Sequence, residues 1–181
     1  MNTALVIIDV QNDYFFQGKC ELFQAEQALT VTKKLLEHFR TKKFPIFYVQ
    51  HISPKNATFF LPNTKGVEIH KDIKPLSSEN VIVKHMPNSF YETTLHEKLS
   101  SLSIKNLVIC GMMTHMCVDT SVRAAKDLGY YVTLIADACA TKDLEWNGRK
   151  LPASFINDVY MASLNSKFVE VMTSADYFAV N

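Results

Sequence analysis

The chain has 181 residues and a mass of 20.6 kDa, which fits one folded domain over residues 1–181 and is too short for two ordinary ones. Hydrophobic residues make up 48% and charged residues 20%, the balance of a packed core, which excludes disorder as the main state. Nineteen Lys and Arg against eighteen Asp and Glu leave a net charge of +1 with no basic stripe, so neither nucleic acid nor an anionic membrane is an expected partner. No apolar run reaches the roughly 18 to 20 residues that cross a bilayer, and Asp9 interrupts the first apolar segment where a signal peptide stays apolar. The expected location is the cytoplasm. Cys20, Cys110, Cys117 and Cys139 form no CxxC pair, so neither a disulfide framework nor a zinc knuckle is indicated.

In chain order, six short apolar segments read as strands: Ala4 to Val10, Pro45 to Gln50, Asn80 to Lys84, Asn106 to Cys110, Tyr131 to Ala136 and Phe168 to Met172. Helical spacing appears between them in Leu29, Leu35, Leu36 and Phe39; in Leu95, Leu99 and Leu102; in Val118, Val122, Ala125 and Leu128; and in Phe155, Val159 and Ala162. Apolar strands without alternation, separated by helices, require a sheet buried on both faces. The expected fold class is therefore α/β, three layers, with a central six-stranded, mostly parallel sheet. Two stretches break the pattern. His51 to Glu79 contains Pro54, Pro62, Gly66 and Pro75 and offers a brief helix only near Val67 to Ile73; Ala140 to Pro152 reads as irregular. Either stretch can wall a pocket.

In an open parallel sheet the ligand sits beyond the carboxyl ends of the strands. The polar residues at those ends are Asp9, Gln50 and His51, Lys84 and His85, the Gly111 to Cys117 turn, and Asp137. An acid, an amine and a thiol thus fall on one edge. Cys117 follows a strand and a turn and opens a helical pattern, where the helix dipole and Lys84 would favour a thiolate and Asp9 would take and return a proton. Position alone leaves Cys117 open between a nucleophile and a small packing residue. Cys20, Cys110 and Cys139 read as packing residues.

Four segments carry a resemblance: ALVIIDVQNDYF at 4–15, VIVKHMPNSFYETTL at 81–95, VICGMMTHMCVDTSVRAAKDLGY at 108–130 and VTLIADACAT at 132–141. In this order and spacing the chain resembles the isochorismatase-like cysteine hydrolases, which include nicotinamidases, N-carbamoyl amidohydrolases and isochorismatases. The resemblance implies a catalytic triad of Asp9, Lys84 and Cys117. It also implies a cis peptide between Met112 and Met113, with the N–H groups of Met113 and Cys117 forming an oxyanion hole. Nicotinamidases of this family add a metal site built on an Asp-x-His segment after the second strand. Here that segment reads QHISP, with His51 near the Asp position and Ser53 near the His position, while Phe59, Phe60 and Leu61 occupy the region of the later ligand. No metal and no other cofactor is expected. The competing site would draw on His51, His70 and Asp72 in the long loop.

Phe15, Phe90, His115 and Trp146 are candidates for the substrate pocket, with core packing the alternative for the aromatics and a turn-stabilising role favoured for His115. The activity implied is hydrolysis of the C–N bond of a small amide or carbamoyl compound through a Cys thioester. Isochorismatase-type vinyl ether hydrolysis and a non-enzymatic ligand-binding or oligomerisation module are the alternatives; thiol redox chemistry lacks a resolving cysteine near Cys117. The near-neutral charge and the apolar potential of Phe59, Phe60, Leu61 and Trp146 predict a homodimer or homotetramer.

Overall fold

Six strands pair in parallel in a computed structural model that describes residues 2–180. They are β1 (Thr3–Ile8), β2 (Ile46–His51), β3 (Asn80–Lys84), β4 (Asn106–Met112), β5 (Tyr131–Ala140) and β8 (Glu170–Met172), in the order β3-β2-β1-β4-β5-β8. Helices α1 (Ala25–Thr41), α2 (Leu95–Ser101), α3 (Asp119–Asp127), α4 (Ala153–Leu164) and α5 (Ser174–Val180) flank it. Alternate residues of β1 enter opposite cores. Leu5 and Ile7 pack with Leu29, Leu35, Leu36 and Phe39 of α1, whereas Ala4, Val6 and Ile8 pack with Leu95 and Leu99 of α2 and Val118, Val122 and Ala125. This is the three-layer α/β arrangement that unbroken apolar strands require.

Several expectations need correction. β1 stops at Ile8, because Asp9 takes a left-handed φ of 52° and turns the chain out of the sheet. β5 runs on to Ala140, since a register shift after Ile109 lets Gly111 and Met112 pair with Cys139 and Ala140. The stretch 140–152 contains an antiparallel hairpin, β6 (Leu144–Trp146) with β7 (Arg149–Leu151), turning through Asn147 and Gly148 at φ 51° and 72°. Asn-Gly is a strong two-residue hairpin signal, because both positions need positive φ. The helix α5 was not foreseen. Thr173 caps its start: its Oγ1 accepts the Asp176 N–H at 3.2 Å and donates to Asp176 Oδ2 at 2.7 Å.

The apolar stripe expected on α4 faces outward. Phe155, Val159 and Ala162 are exposed, while Ala153, Ile156 and Leu164 are buried. At the ends of two other stripes, Leu102 and Leu128 also lie at the surface. Phe60, expected as exposed apolar surface, is buried against Tyr14 and Phe59, and only Trp146 of that group is largely exposed, at 77%. No described helix is long and apolar enough to cross a membrane.

The tightest backbone approach lies just ahead of Asp9. Gly111 of β4 pairs with Ile8 at φ 132°, and a Cβ there would sit 2.0 Å from the Ile8 carbonyl oxygen. Gly111→Ala must push β1 from β4 or break their ladder. It is expected to cost about 3 kcal/mol and to lower Tm by about 6–12 °C, measured by thermal unfolding.

Candidate active site

Four adjacent strands each deliver one residue to the same point. Lys84 ends β3, His51 ends β2, Asp9 follows β1, and Cys117 lies in the turn after β4. Lys84 Nζ is 2.7 Å from Asp9 Oδ2, 2.9 Å from His51 Nδ1 and 3.2 Å from Cys117 Sγ. The strand order explains the meeting, since His51 and Lys84 are direct register partners and β1 lies next to β2.

Each position has a local cause. The Asp9 N–H donates to the Val49 carbonyl at 3.0 Å, so the turn at the end of β1 is tied to β2. Gln11, fully buried, uses its whole amide as a clamp: Oε1 accepts the His51 N–H at 2.7 Å, and Nε2 donates to the His51 carbonyl at 2.9 Å and the Val67 carbonyl at 2.7 Å. Asp13 accepts the Phe60 N–H at 2.6 Å and the Lys19 N–H at 3.2 Å. Gly66 lies against that carboxylate, where a Cβ would come within 2.2 Å of Asp13 Oδ1. Gln11 and Asp13 thereby fold the long 51–79 connection back over the edge of the sheet. Both were read only as part of a motif; a buried amide and carboxylate beside a Pro-rich loop have backbone groups to satisfy.

Cys117 does not sit in the first turn of an α-helix. It belongs to a π-helical turn, Thr114–Val118, that precedes α3. Thr114 Oγ1 donates to Asn157 Oδ1 at 2.6 Å, His115 Nδ1 meets Thr141 Oγ1, and the His115 ring stands edge-on to Tyr160 at 6.2 Å. His115 thus ties the turn to β5 and α4. The Met112–Met113 peptide bond just before the turn is cis.

Burial sets the charges. Asp9, Lys84 and Cys117 are all buried, Cys117 the most accessible at 6%. Desolvation raises the Asp9 pKa, an effect only partly offset by Lys84. Burial alone would lower Lys84, but Asp9 and Cys117 outweigh it and keep the ammonium charged. Burial and the Asp9 charge together push the Cys117 thiol well up, against Lys84. The expected resting thiolate is therefore corrected: the cation is already matched by the Asp9 carboxylate, and a second buried anion has no partner. His51 is pushed down to about 4, by burial first and then by Lys84 and His85, so it is neutral.

Asp9, His51 and Cys117 present ligand atoms within 4.8 Å of one another, the spacing of a metal site. The donor set does not fit a divalent ion, because the Lys84 ammonium already lies within hydrogen-bond distance of all three. The competing loop site is not assembled. His70 Nδ1 accepts the Asp72 N–H at 3.3 Å while its ring lies on Phe15, and the Asp72 carboxylate pairs with Lys33 at 3.1 Å.

The remaining candidates disperse. Phe15 is buried in the α1-side core, Phe90 stacks on Tyr130 at 6.1 Å, and Trp146 lies on the exposed hairpin. Asp137, counted at a strand end, accepts the N–H and hydroxyl of Ser174 at 2.8 and 2.6 Å and holds the start of α5. Tyr14 was not singled out. It is buried, and burial first and then the nearby Asp9 carboxylate raise its phenol.

Since Asp9 and Cys117 compete for one cation, neutralising Asp9 frees Lys84 for the sulfur. Asp9→Asn is expected to lower the thiol pKa, seen as ultraviolet thiolate absorbance appearing at lower pH. A thiol pKa that stays or rises contradicts the charge assignment.

Comparison with known proteins agrees with this geometry. The profile described as the Isochorismatase domain matches residues 3–176. An uncharacterised isochorismatase family protein of Bacillus subtilis, YddQ, is 50% identical over 175 residues, covering 96% of this chain and 97% of its own. Streptothricin hydrolase of Streptomyces noursei is 31% identical, covering 92% of this chain and 58% of its own length. A crystal structure from Oleispira antarctica, described as an isochorismatase hydrolase, superposes with a TM-score of 0.95 at 41% identity, covering 98% of this chain and 96% of that one. With an Asp, a Lys and a Cys gathered at the carboxyl edge of such a sheet, the chain belongs to the isochorismatase family of hydrolases.

Proposed function

We propose that this hydrolase cleaves the C–N bond of a small amide or carbamoyl compound without a metal, with Asp9, Lys84 and Cys117 as its catalytic triad. The observation that carries the reading is the position of Lys84 Nζ, within hydrogen-bond distance of both a carboxylate and a thiol in a buried site. The sulfur attacks the carbonyl carbon as its proton passes to the Asp9 carboxylate, which has an oxygen within 4.8 Å of Sγ. The backbone N–H groups of Met113 and Cys117 stabilise the oxygen as it becomes negative. Lys84 stays charged throughout, while the negative charge passes from the Asp9 carboxylate to the oxygen of the attacked carbonyl. Asp9 then hands its proton to the departing amine, draws one from water as the water oxygen attacks the thioester, and returns it to the sulfur as the C–S bond breaks.

A carboxylic acid beside the nucleophile suits an amine leaving group, which must be protonated to depart. The same acid would serve a vinyl ether, but there the thiol has no step to perform. The exposed apolar pair Phe155 and Val159 at i,i+4 on α4, together with Trp146, supports assembly into a dimer or tetramer, which light scattering measures.

The test is a panel of small amides, ureido acids and isochorismate followed by ammonia and product release. Cys117→Ala is expected to lose at least about a thousand-fold in turnover on the preferred amide with its Tm little changed. Dialysis against a strong chelator is expected to leave the parent protein's activity intact. Turnover of isochorismate alone, or activity retained in Cys117→Ala, overturns the proposal.

A further inference from the structure

An ammonium carries three N–H groups, and Lys84 has three acceptors around it. The triad accounts for Asp9 Oδ2 and Cys117 Sγ. It leaves His51, whose Nδ1 lies 2.9 Å from Lys84 Nζ in a position held on both backbone sides by the Gln11 amide. We propose that His51 is a positioning residue of this site: its Nδ1 accepts the third N–H of Lys84, so that the other two stay aimed at the carboxylate and the sulfur. The inference deepens the triad reading and rests on it.

Two observations support it. The ring can accept at Nδ1 only as the neutral tautomer with its proton on Nε2, because the ammonium offers no acceptor in return. Burial first, then Lys84 and His85 at the end of β3, oppose its protonation and outweigh the Asp9 carboxylate, whose ligand atom, like that of Cys117, lies within 4.8 Å of the ring nitrogen; the Phe60 ring lies 6.1 Å away. The Lys84 side chain is itself wholly buried, so an N–H released by His51 has no solvent to fall back on. Sequence proximity hides the pairing, since 33 residues separate His51 from Lys84.

Nitrogen-15 NMR of the histidine-labelled parent protein tests the first half. His51 is expected to hold its proton on Nε2, with Nδ1 bare, from about pH 5 to about pH 9. A proton on Nδ1, or a charged ring in that range, overturns the proposal, and no variant has to fold for this result.

The second half is read by iodoacetamide alkylation of Cys117, followed by peptide mass as a function of pH. His51→Leu is expected to slow alkylation at neutral pH about ten- to a hundred-fold and to move the profile to higher pH, because a poorly held ammonium stabilises the thiolate less. His51→Asn, whose side-chain oxygen is again an acceptor, is expected to restore most of the rate. A His51→Leu rate within about twofold of the parent, or His51→Asn no faster than His51→Leu, overturns the role. Neither readout needs a substrate, so this inference and the proposed hydrolysis fail separately.

Discussion

A single buried cation organises the site. Moving an ammonium out of water costs several kcal/mol even after relaxation, and that cost is offset only when its hydrogen bonds are met and an opposite charge stands close by. Lys84 satisfies both conditions, with Asp9 supplying the charge and His51 and Cys117 the remaining acceptors. The arrangement also limits what the sulfur can be. Lys84 is already paired with Asp9, so in a site this dry a second anion on the sulfur is disfavoured and the thiol is pushed up. In the proposed reaction, ionisation of the sulfur coincides with transfer of its proton to Asp9.

The rest of the fold can be understood as what holds four strand ends in register around that cation. A parallel sheet places successive carboxyl ends along one edge, and the order β3-β2-β1-β4 brings together residues scattered from position 9 to position 117. Gly111 allows β4 to lie close against Ile8 immediately before Asp9. The Gln11 amide and the Asp13 carboxylate bind the long connection after β2 by its backbone, so the loop is fixed by hydrogen bonds where its Pro content denies it regular structure. On the far side, Thr114, His115 and Thr141 pin the π-helical turn that carries Cys117 to β5 and α4.

Much of this was legible in the sequence, and the misses have physical causes. Strands buried on both faces leave unbroken apolar runs, so all six sheet strands and four of the helices are readable, and the strand-end rule gathers Asp9, Lys84 and Cys117 without the resemblance. Strand order is not written in local pattern, and without it neither the contact of His51 with Lys84 nor the placement of Asp137 beside α5 can be read. On α4 the apolar spacing was correctly taken as a helix but assigned to the wrong face, since periodicity gives a stripe without saying whether a core or another surface covers it. The N-cap Thr173 and the Asn147-Gly148 turn are local signals that apolar periodicity does not contain. The ionisation of Cys117 was misjudged for a different reason: the helix-terminus argument counts a favourable dipole, whereas desolvation and the neighbouring carboxylate dominate once the thiol is buried.

The central claim is that Cys117 becomes covalently attached to the acyl part of the substrate while Lys84 stays charged beside it. Rapid acid quench of the parent protein during turnover of its preferred amide, followed by peptide mapping by mass, tests this most directly. The account predicts an adduct equal in mass to the acyl fragment, confined to the peptide containing Cys117 and released by hydroxylamine. Turnover at full rate with no adduct on Cys117, or an adduct on another residue, would contradict it.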